Sequence, residues 1–235
     1  MSLLAVERIT AGYGQSQVLF DVSLQVSEGQ VVSLLGRNGM GKTTTLNTIA
    51  GVLEARSGNI LISDHCVNGW QAYDIARLGI GLVPEGRQVF PNLSARENLL
   101  ATAANRFNDA NPWTLDRVLT LFPALEPRLE FMGNLLSGGE QQMLAIGRAL
   151  MTNPRLLVLD DATEGLAPQV RTAIWHALSE LKNAGLGILL VDKHVVDLLP
   201  LVDKHYVMEK GHVVWSGDKA AWQSQPEIYS KYFSI

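Results

Sequence analysis

The spacing of apolar positions changes along the chain, and each change marks a different kind of element. Leu3 to Ile9, Val18 to Val26 and Gly29 to Leu35 read as short strands, broken by turn signals at Gly12, Gly14 and Glu28-Gly29. Ile60-Leu61-Ile62 and Gly81-Leu82-Val83 are further strand candidates. From Ser94 to Met151 the spacing becomes helical and predicts helices over Ala95 to Asn105, Thr114 to Leu121 and Gly138 to Met151, with Pro112, Pro123 and Pro127 punctuating the connections. Leu156 to Leu159 and Ile188 to Val191 are then continuous apolar runs, the pattern of strands buried on both faces of a parallel sheet. A helix from Pro168 to Ala184, ended by Gly185, lies between them and completes a βαβ unit. Tyr206 to Glu209 and Val213 to Trp215 read as a closing hairpin through Lys210-Gly211. The expectation is one α/β domain over residues 1–235, with a mostly parallel core sheet and an N-terminal antiparallel β portion. A helical subdomain, about residues 90–152, is inserted in that core.

Composition narrows the class without naming it. At 235 residues the chain is long enough for a substantial core, and 47 % apolar against 18 % charged residues fits an ordinary globular protein. A net charge of −4 gives no electrostatic reason to expect nucleic acid, which demands basic surface. The single Cys66 cannot form an internal disulfide, so a reducing compartment is the default. No apolar stretch reaches the roughly 20 residues needed to span a bilayer, and Glu7-Arg8 brings charge too early for a signal peptide. A cytoplasmic protein is expected, meeting the inner face of the membrane only through partners.

Candidate chemistry enters at Gly36-Arg37-Asn38-Gly39-Met40-Gly41-Lys42-Thr43, which fits G-x-x-x-x-G-K-[ST] at every fixed position. The apolar run Val31 to Leu35 precedes it and a helix from Thr43 to Ala50, with Thr44 in its first turn, follows. Such a loop turns successive amides toward phosphate oxygens, and the helix adds the positive end of its dipole. Lys42 is placed to reach the β- and γ-phosphates, and the Thr43 hydroxyl to ligate Mg²⁺. Asp160, ending the apolar run before it, is the second candidate on the Mg²⁺ side. A third segment, Leu136-Ser137-Gly138-Gly139-Glu140-Gln141-Gln142, combines a helix-capping serine with two glycines that let amides approach an anion, and reads as a second phosphate site.

With all three segments in this order, the chain resembles the ATP-binding-cassette (ABC) ATPases, whose signature sequence is LSGGEQQ. The resemblance covers nearly the whole chain and implies a P-loop NTPase fold, ATP with Mg²⁺ as cofactors, and a head-to-tail pair of cassettes. In that pair the signature helix of one chain, starting here at Ser137, Gly138, Gly139 and Glu140, caps the γ-phosphate on the phosphate loop of the other. The resemblance also places Tyr13, in Ala11-Gly12-Tyr13-Gly14, as the aromatic that stacks on adenine. Val83-Pro84-Glu85-Gly86-Arg87-Gln88-Val89-Phe90-Pro91-Asn92-Leu93, Glu97-Asn98-Leu99 and Thr163-Glu164-Gly165-Leu166-Ala167-Pro168 are similar to the second ATPase subunit of branched-chain (hydrophobic) amino acid importers. By that resemblance Glu85 senses Mg²⁺ and the γ-phosphate, and Arg87 and Phe90 lie on the surface that meets the membrane subunit.

The chain departs from that pattern at two places. After the strand aspartate the family has Glu-Pro, and here stands Asp161-Ala162, a catalytic carboxylate one methylene shorter. A base must sit within hydrogen-bond reach of the attacking water, and misplacement by about 1 Å can cost on the order of a hundredfold. Retarded hydrolysis is the simpler expectation. The switch position, usually His or Gln, falls on Lys193, with His194 one place later; either can face the γ-phosphate. His65, His176, His205 and His212 show no metal spacing and are expected to be structural.

The resemblance therefore implies a transport ATPase whose partners are a second cassette (the same chain or a related one), integral membrane permease subunits and, indirectly, a periplasmic binding protein, with no nucleic acid. Branched-chain amino acids, urea, short amides and aromatic acids all remain open as cargo. The alternative, favoured by Asp161 and Lys193, is a hydrolysis-impaired cassette with a structural or regulatory role. A soluble ABC protein of DNA repair or translation needs coiled coils or two cassettes in one chain, and neither is visible.

Overall fold

The computed structural model describes residues 2–192, 195–225 and 227–233. In chain order the strands and helices are β1 (Ser2–Tyr13), β2 (Ser16–Ser27), β3 (Val31–Leu35), α1 (Lys42–Ile49), β4 (Ser57–Ile62), β5 (His65–Cys66), α2 (Ala72–Arg77) and β6 (Ile80–Val83). There follow α3 (Ala95–Leu100), α4 (Leu115–Leu121), α5 (Gly138–Leu150), β7 (Leu156–Asp160), α6 (Pro168–Asn183) and β8 (Gly187–Val191). The chain closes with α7 (Val195–Leu198), β9 (Lys204–Glu209), β10 (His212–Asp218), α8 (Lys219–Ser224) and α9 (Glu227–Phe233).

The strands form two sheets. β2-β1-β4-β5 is antiparallel, and β10-β9-β3-β8-β7-β6 is parallel except for the β9–β10 hairpin. Every residue of β3, β7 and β8 is buried, which is why their sequences are unbroken apolar runs: helices or the second sheet cover both faces. One apolar cluster, built on Leu4, Ile9, Leu34, Leu46 and Leu189, fills the space between the two sheets and α1. The other, with Leu99, Phe122, Leu144, Leu157 and Leu178, joins α3, α5 and α6 to the far face of the parallel sheet.

Several elements differ from the expected bounds. The helix predicted from Ala95 stops at Leu100 instead of Asn105. The Asn105 side chain accepts from the Asp109 amide (2.9 Å) and donates to the Asp109 carbonyl (3.1 Å), closing a local turn that outcompetes helical bonding. The short helices α2, α8 and α9 lie in segments without a helical apolar period. α8 is held by tertiary contact instead: Trp222 meets Trp215 edge-on at 5.5 Å and His205 at 4.9 Å. No described helix is long and apolar enough to cross a membrane.

Candidate nucleotide site

The phosphate loop leaves the C-terminal end of β3, the end at which open parallel α/β sheets collect ligands. Gly41 takes φ +102°, a left-handed conformation that glycine adopts without the Cβ penalty, and this turns the chain directly into α1. α1 starts without any side-chain cap. Lys42 folds back over the loop, its ammonium donating to the carbonyls of Gly36 (2.9 Å) and Arg37 (3.0 Å). A cavity of about 430 Å³ opens beside it, lined by Asn38, Gly39, Gly41, Lys42, Thr43 and Thr44 on one side and by Glu85, Asp161 and Glu164 on the other. Met40 is turned away from that space, its sulfur accepting from the Lys210 amide at 3.2 Å.

The electrostatics are those of a site for a cation and a polyanion together. Burial pulls the Lys42 ammonium below its ordinary pKa, against the opposing pull of Asp161, Asp160, Glu85 and Glu164. Burial likewise raises Asp160, with Glu85 adding to the rise while a hydrogen bond from Thr43 and the charge of Lys42 oppose it. Asp161 is raised to about 6, first by burial and then by the negative charge of Asp160, with Lys42 opposing. Asp160 is 3 % exposed and keeps Oδ1 buried without a hydrogen-bond partner. An orphaned carboxylate oxygen beside a threonine hydroxyl fits a hard divalent cation, which takes oxygen ligands.

Three of the residues singled out from sequence therefore converge across the cavity from the phosphate loop and Lys42: Glu85 and Asp161 on its lining, with Asp160 beside Thr43. Others lie elsewhere. Ser137, Gly138, Gly139 and Glu140 are outside the cavity lining and start α5 as a closed capping box: the Ser137 hydroxyl accepts from the Glu140 amide (3.3 Å), and the Glu140 carboxylate accepts from the Ser137 amide (2.7 Å). Arg128 pairs with Glu140 at 2.9 Å and completes this arrangement. Tyr13, at the end of β1, is 52 % exposed and also outside the lining. Lys193 and His194, the two switch candidates, lie outside the described residues.

Arg87 and Phe90, expected together on one surface, have different neighbours. Arg87 lies against the start of α5, where a Cβ on Gly138 would come 2.7 Å from its Nη1. Phe90 carries the Arg148 guanidinium 4.5 Å from its ring centroid, at the edge of an apolar groove of about 240 Å³ between α2, β6 and α5. The residue to which sequence reasoning gave no role is Glu164. Its spacing of three from Asp161 was the available signal, and only the turn geometry turns that spacing into a shared wall. A larger cavity, about 690 Å³, lies at the N-terminal ends of β7 and β8, bounded by Trp113, Arg117, Asn153 and Arg155. None of the phosphate-loop residues lines it.

Known proteins resemble this chain over nearly all of its length. The family model described as ABC transporter matches residues 19–164. The high-affinity branched-chain amino acid transport ATP-binding protein BraG of Pseudomonas aeruginosa is 40 % identical, over 98 % of this chain and 99 % of its own. The lipopolysaccharide export system ATP-binding protein LptB of Escherichia coli K12 is 34 % identical over 92 % and 91 % of the two chains. Among solved structures, a nucleotide-free ATP-binding cassette from an ABC transporter superposes with a TM-score of 0.84 at 27 % identity, covering 97 % of each chain. The likeness extends from the phosphate loop through the capped start of α5 to β7 and β8, and the chain belongs to the ABC transporter family as one of its ATP-binding cassettes.

Proposed function

We propose that this cassette hydrolyses ATP within a two-cassette assembly that drives uptake of branched-chain amino acids or a related small polar solute. The similarity to BraG over the full length of both chains supports the cargo class. The observation that carries the assembly is internal: the phosphate loop and the Ser137-Gly138-Gly139 start of α5 do not share a cavity in one chain. In this reading the phosphate loop holds this chain's nucleotide, and the start of α5 faces the nucleotide held mainly by the other cassette. Residues 90–152 then form the helical subdomain that presents the signature segment, and the groove beside Phe90 and Arg148 receives the permease at the inner membrane face.

ATP enters with its phosphates along the Gly36–Thr43 loop, where the amides before α1 supply hydrogen bonds and Lys42 exchanges its two carbonyl contacts for phosphate oxygens. Thr43 and Asp160, with Glu85 facing them, hold Mg²⁺, which supplies charge neutralisation at the phosphates when bound. Tyr13 stacks on the adenine. Asp161 orients the attacking water. Its backbone is pinned at this point, since its amide donates to the Val191 carbonyl at 3.0 Å. Lys193 or His194 provides the switch contact to the γ-phosphate.

The test is ATPase rate per chain against protein concentration, with light scattering in parallel. A rate that rises as dimer forms supports the assembly, and a flat rate from a monomer down to nanomolar concentration sinks it. Cargo is tested by co-expression with candidate permease subunits and uptake of labelled leucine. A second reading, a hydrolysis-impaired cassette, is favoured by the shortened Asp161; a burst of phosphate in single turnover argues against it.

A further inference from the structure

The turn after β7 presents two carboxylates to the nucleotide cavity where sequence reasoning assigned one. Ala162 (1 % exposed) and Thr163 (0 %) are buried, whereas Asp161 and Glu164 line the cavity. Asp192, at the end of β8, fixes this alternation: its Oδ2 accepts from both the Thr163 hydroxyl (2.5 Å) and the Thr163 amide (3.2 Å). The Glu164 amide donates to the Asp161 carbonyl at 3.2 Å, which folds the four residues into one turn. Asp161 itself has φ +48°, the left-handed region that a non-glycine residue rarely occupies. The turn is thus held from β8, and its two acidic side chains emerge on the same side.

Carboxylate oxygens of Glu85, Asp161 and Glu164 lie within 4.8 Å of one another. Like charges this close repel, and here they stand opposite a loop that receives a polyanion. Asp160, close to Glu85, Lys42 and the Thr43 hydroxyl, keeps a buried oxygen without a partner, an acceptor left for something polar that binds there. Asp161 has a short arm. Glu164, one turn on, is longer by a methylene and enters the same space.

Resting on the ATPase reading above, we propose that Glu164 is a second catalytic carboxylate, which shares with Asp161 the water that attacks the γ-phosphate. As the water oxygen bonds to the γ-phosphorus, the bond from that phosphorus to the β,γ-bridging oxygen breaks, and its electron pair leaves on ADP. The proton lost by the water passes to the Asp161–Glu164 pair and from there to solvent, which restores both carboxylates. Two bases at one water make each partly replaceable by the other.

The experiment is single-turnover hydrolysis of MgATP by the full chain, comparing wild type, Asp161→Asn, Glu164→Gln, the double variant and Asp161→Glu/Glu164→Gln. Nucleotide affinity and thermal midpoint are measured on each. Glu164→Gln should slow hydrolysis roughly tenfold, less than the hundredfold or more that a sole general base contributes because Asp161 remains, with MgATP affinity unchanged. Asp161→Asn should retain measurable hydrolysis, and the double variant should lose more than the product of the two single losses. Asp161→Glu should recover rate in the Glu164→Gln background, a rescue that a purely structural glutamate would not show. An active wild type that Glu164→Gln slows in neither background overturns this inference alone. A wild-type chain without hydrolysis overturns the ATPase reading and this inference with it. Because Gln matches Glu in shape, a changed thermal midpoint with no separate loss of rate likewise counts against the proposal.

Discussion

Two glycine-containing helix starts, those of α1 and α5, carry the same chemistry in opposite states of completion. α1 begins at a left-handed Gly41 with no side-chain cap and no acidic residue in its first turn. α5 begins at Ser137 with both hydrogen bonds of a capping box closed, and Arg128 holds Glu140 from outside. Burial alone would raise the Glu140 pKa, but the hydrogen bonds from Ser137 and Arg128 win and lower it. A helix start leaves several amides unsatisfied unless something caps them. The first is therefore built to be completed by a bound anion, and the second has its Ser137 and Glu140 amides satisfied before any ligand arrives. Substitutions at α1 should change binding with little effect on folding, and substitutions at α5 the reverse.

The scaffold under the first helix start supplies the largest expected effect, and it depends on pH. Ser33, in the strand that feeds the phosphate loop, hydrogen-bonds the buried His205 Nδ1 at 2.7 Å. Burial lowers the His205 pKa to about 4, although the charge of Asp203 pulls the other way. Asp203 is itself engaged by Lys182 at 2.6 Å. Between about 4 and the ordinary value of about 6.5, the unfolded chain binds the proton and the folded chain does not. The contribution is complete above pH 6.5 and is lost as pH falls toward 4, amounting to about 3 kcal/mol at most. Thermal midpoints from pH 7.5 to 4.5 should drop more steeply for the wild type than for His205→Gln. Parallel curves would show that this histidine does not couple the loop's scaffold to pH.

Next in size is Lys42→Ala. Loss of a charge-assisted contact should weaken MgATP binding by about 1.5–3 kcal/mol, read by calorimetry. Folding should not suffer, because the ammonium is held in a desolvated site that opposes its charge. A large drop in thermal midpoint without nucleotide would break the comparison, since the α1 start would then be self-supporting.

These differences explain which features could be read from the sequence. The phosphate loop was legible because its chemistry fixes residue types at fixed spacing, and β3, β7 and β8 because burial on both faces leaves no polar positions. Convergence of Asp160, Asp161 and Glu85 on the loop follows once those strands are parallel neighbours. Glu164 was illegible as a site residue because its direction depends on Asp192, which holds Thr163 from another strand. The ends of α3 and the existence of α8 rest on an Asn105–Asp109 turn and on a Trp222 contact, neither of which has a period to detect.

Ser137→Ala tests the second helix start directly. Removing the cap should cost about 1 kcal/mol of stability and leave MgATP affinity of the isolated chain unchanged. Denaturant midpoints and calorimetry on one preparation report both quantities. A loss of affinity without a loss of stability would reverse the assignment of the two helix starts.

The smallest effect is expected at Gly138, and it bears most sharply on whether the two helix starts belong to one site or two. Gly138 has no left-handed backbone, so alanine meets no φ penalty there. An added Cβ meets the end of Arg87 first, 2.7 Å from Nη1 and 3.1 Å from Cζ, and a long, flexible side chain can move aside. The greater helix propensity of alanine offsets part of that displacement, so stability should change by about 0.5 kcal/mol or less. Binding of MgATP to the isolated chain should not change, because no atom of this segment lines the nucleotide cavity. What should change is ATP-driven association: the methyl and the displaced guanidinium both stand beside the Gly138 amide, which the proposed two-cassette assembly brings to a phosphate held by the other chain. Light scattering with and without MgATP, on wild type and Gly138→Ala at equal concentration, separates these outcomes. If Gly138→Ala weakens nucleotide binding by the monomer, the start of α5 belongs to the same site as the start of α1, and the division of the molecule into an incomplete and a finished helix start fails.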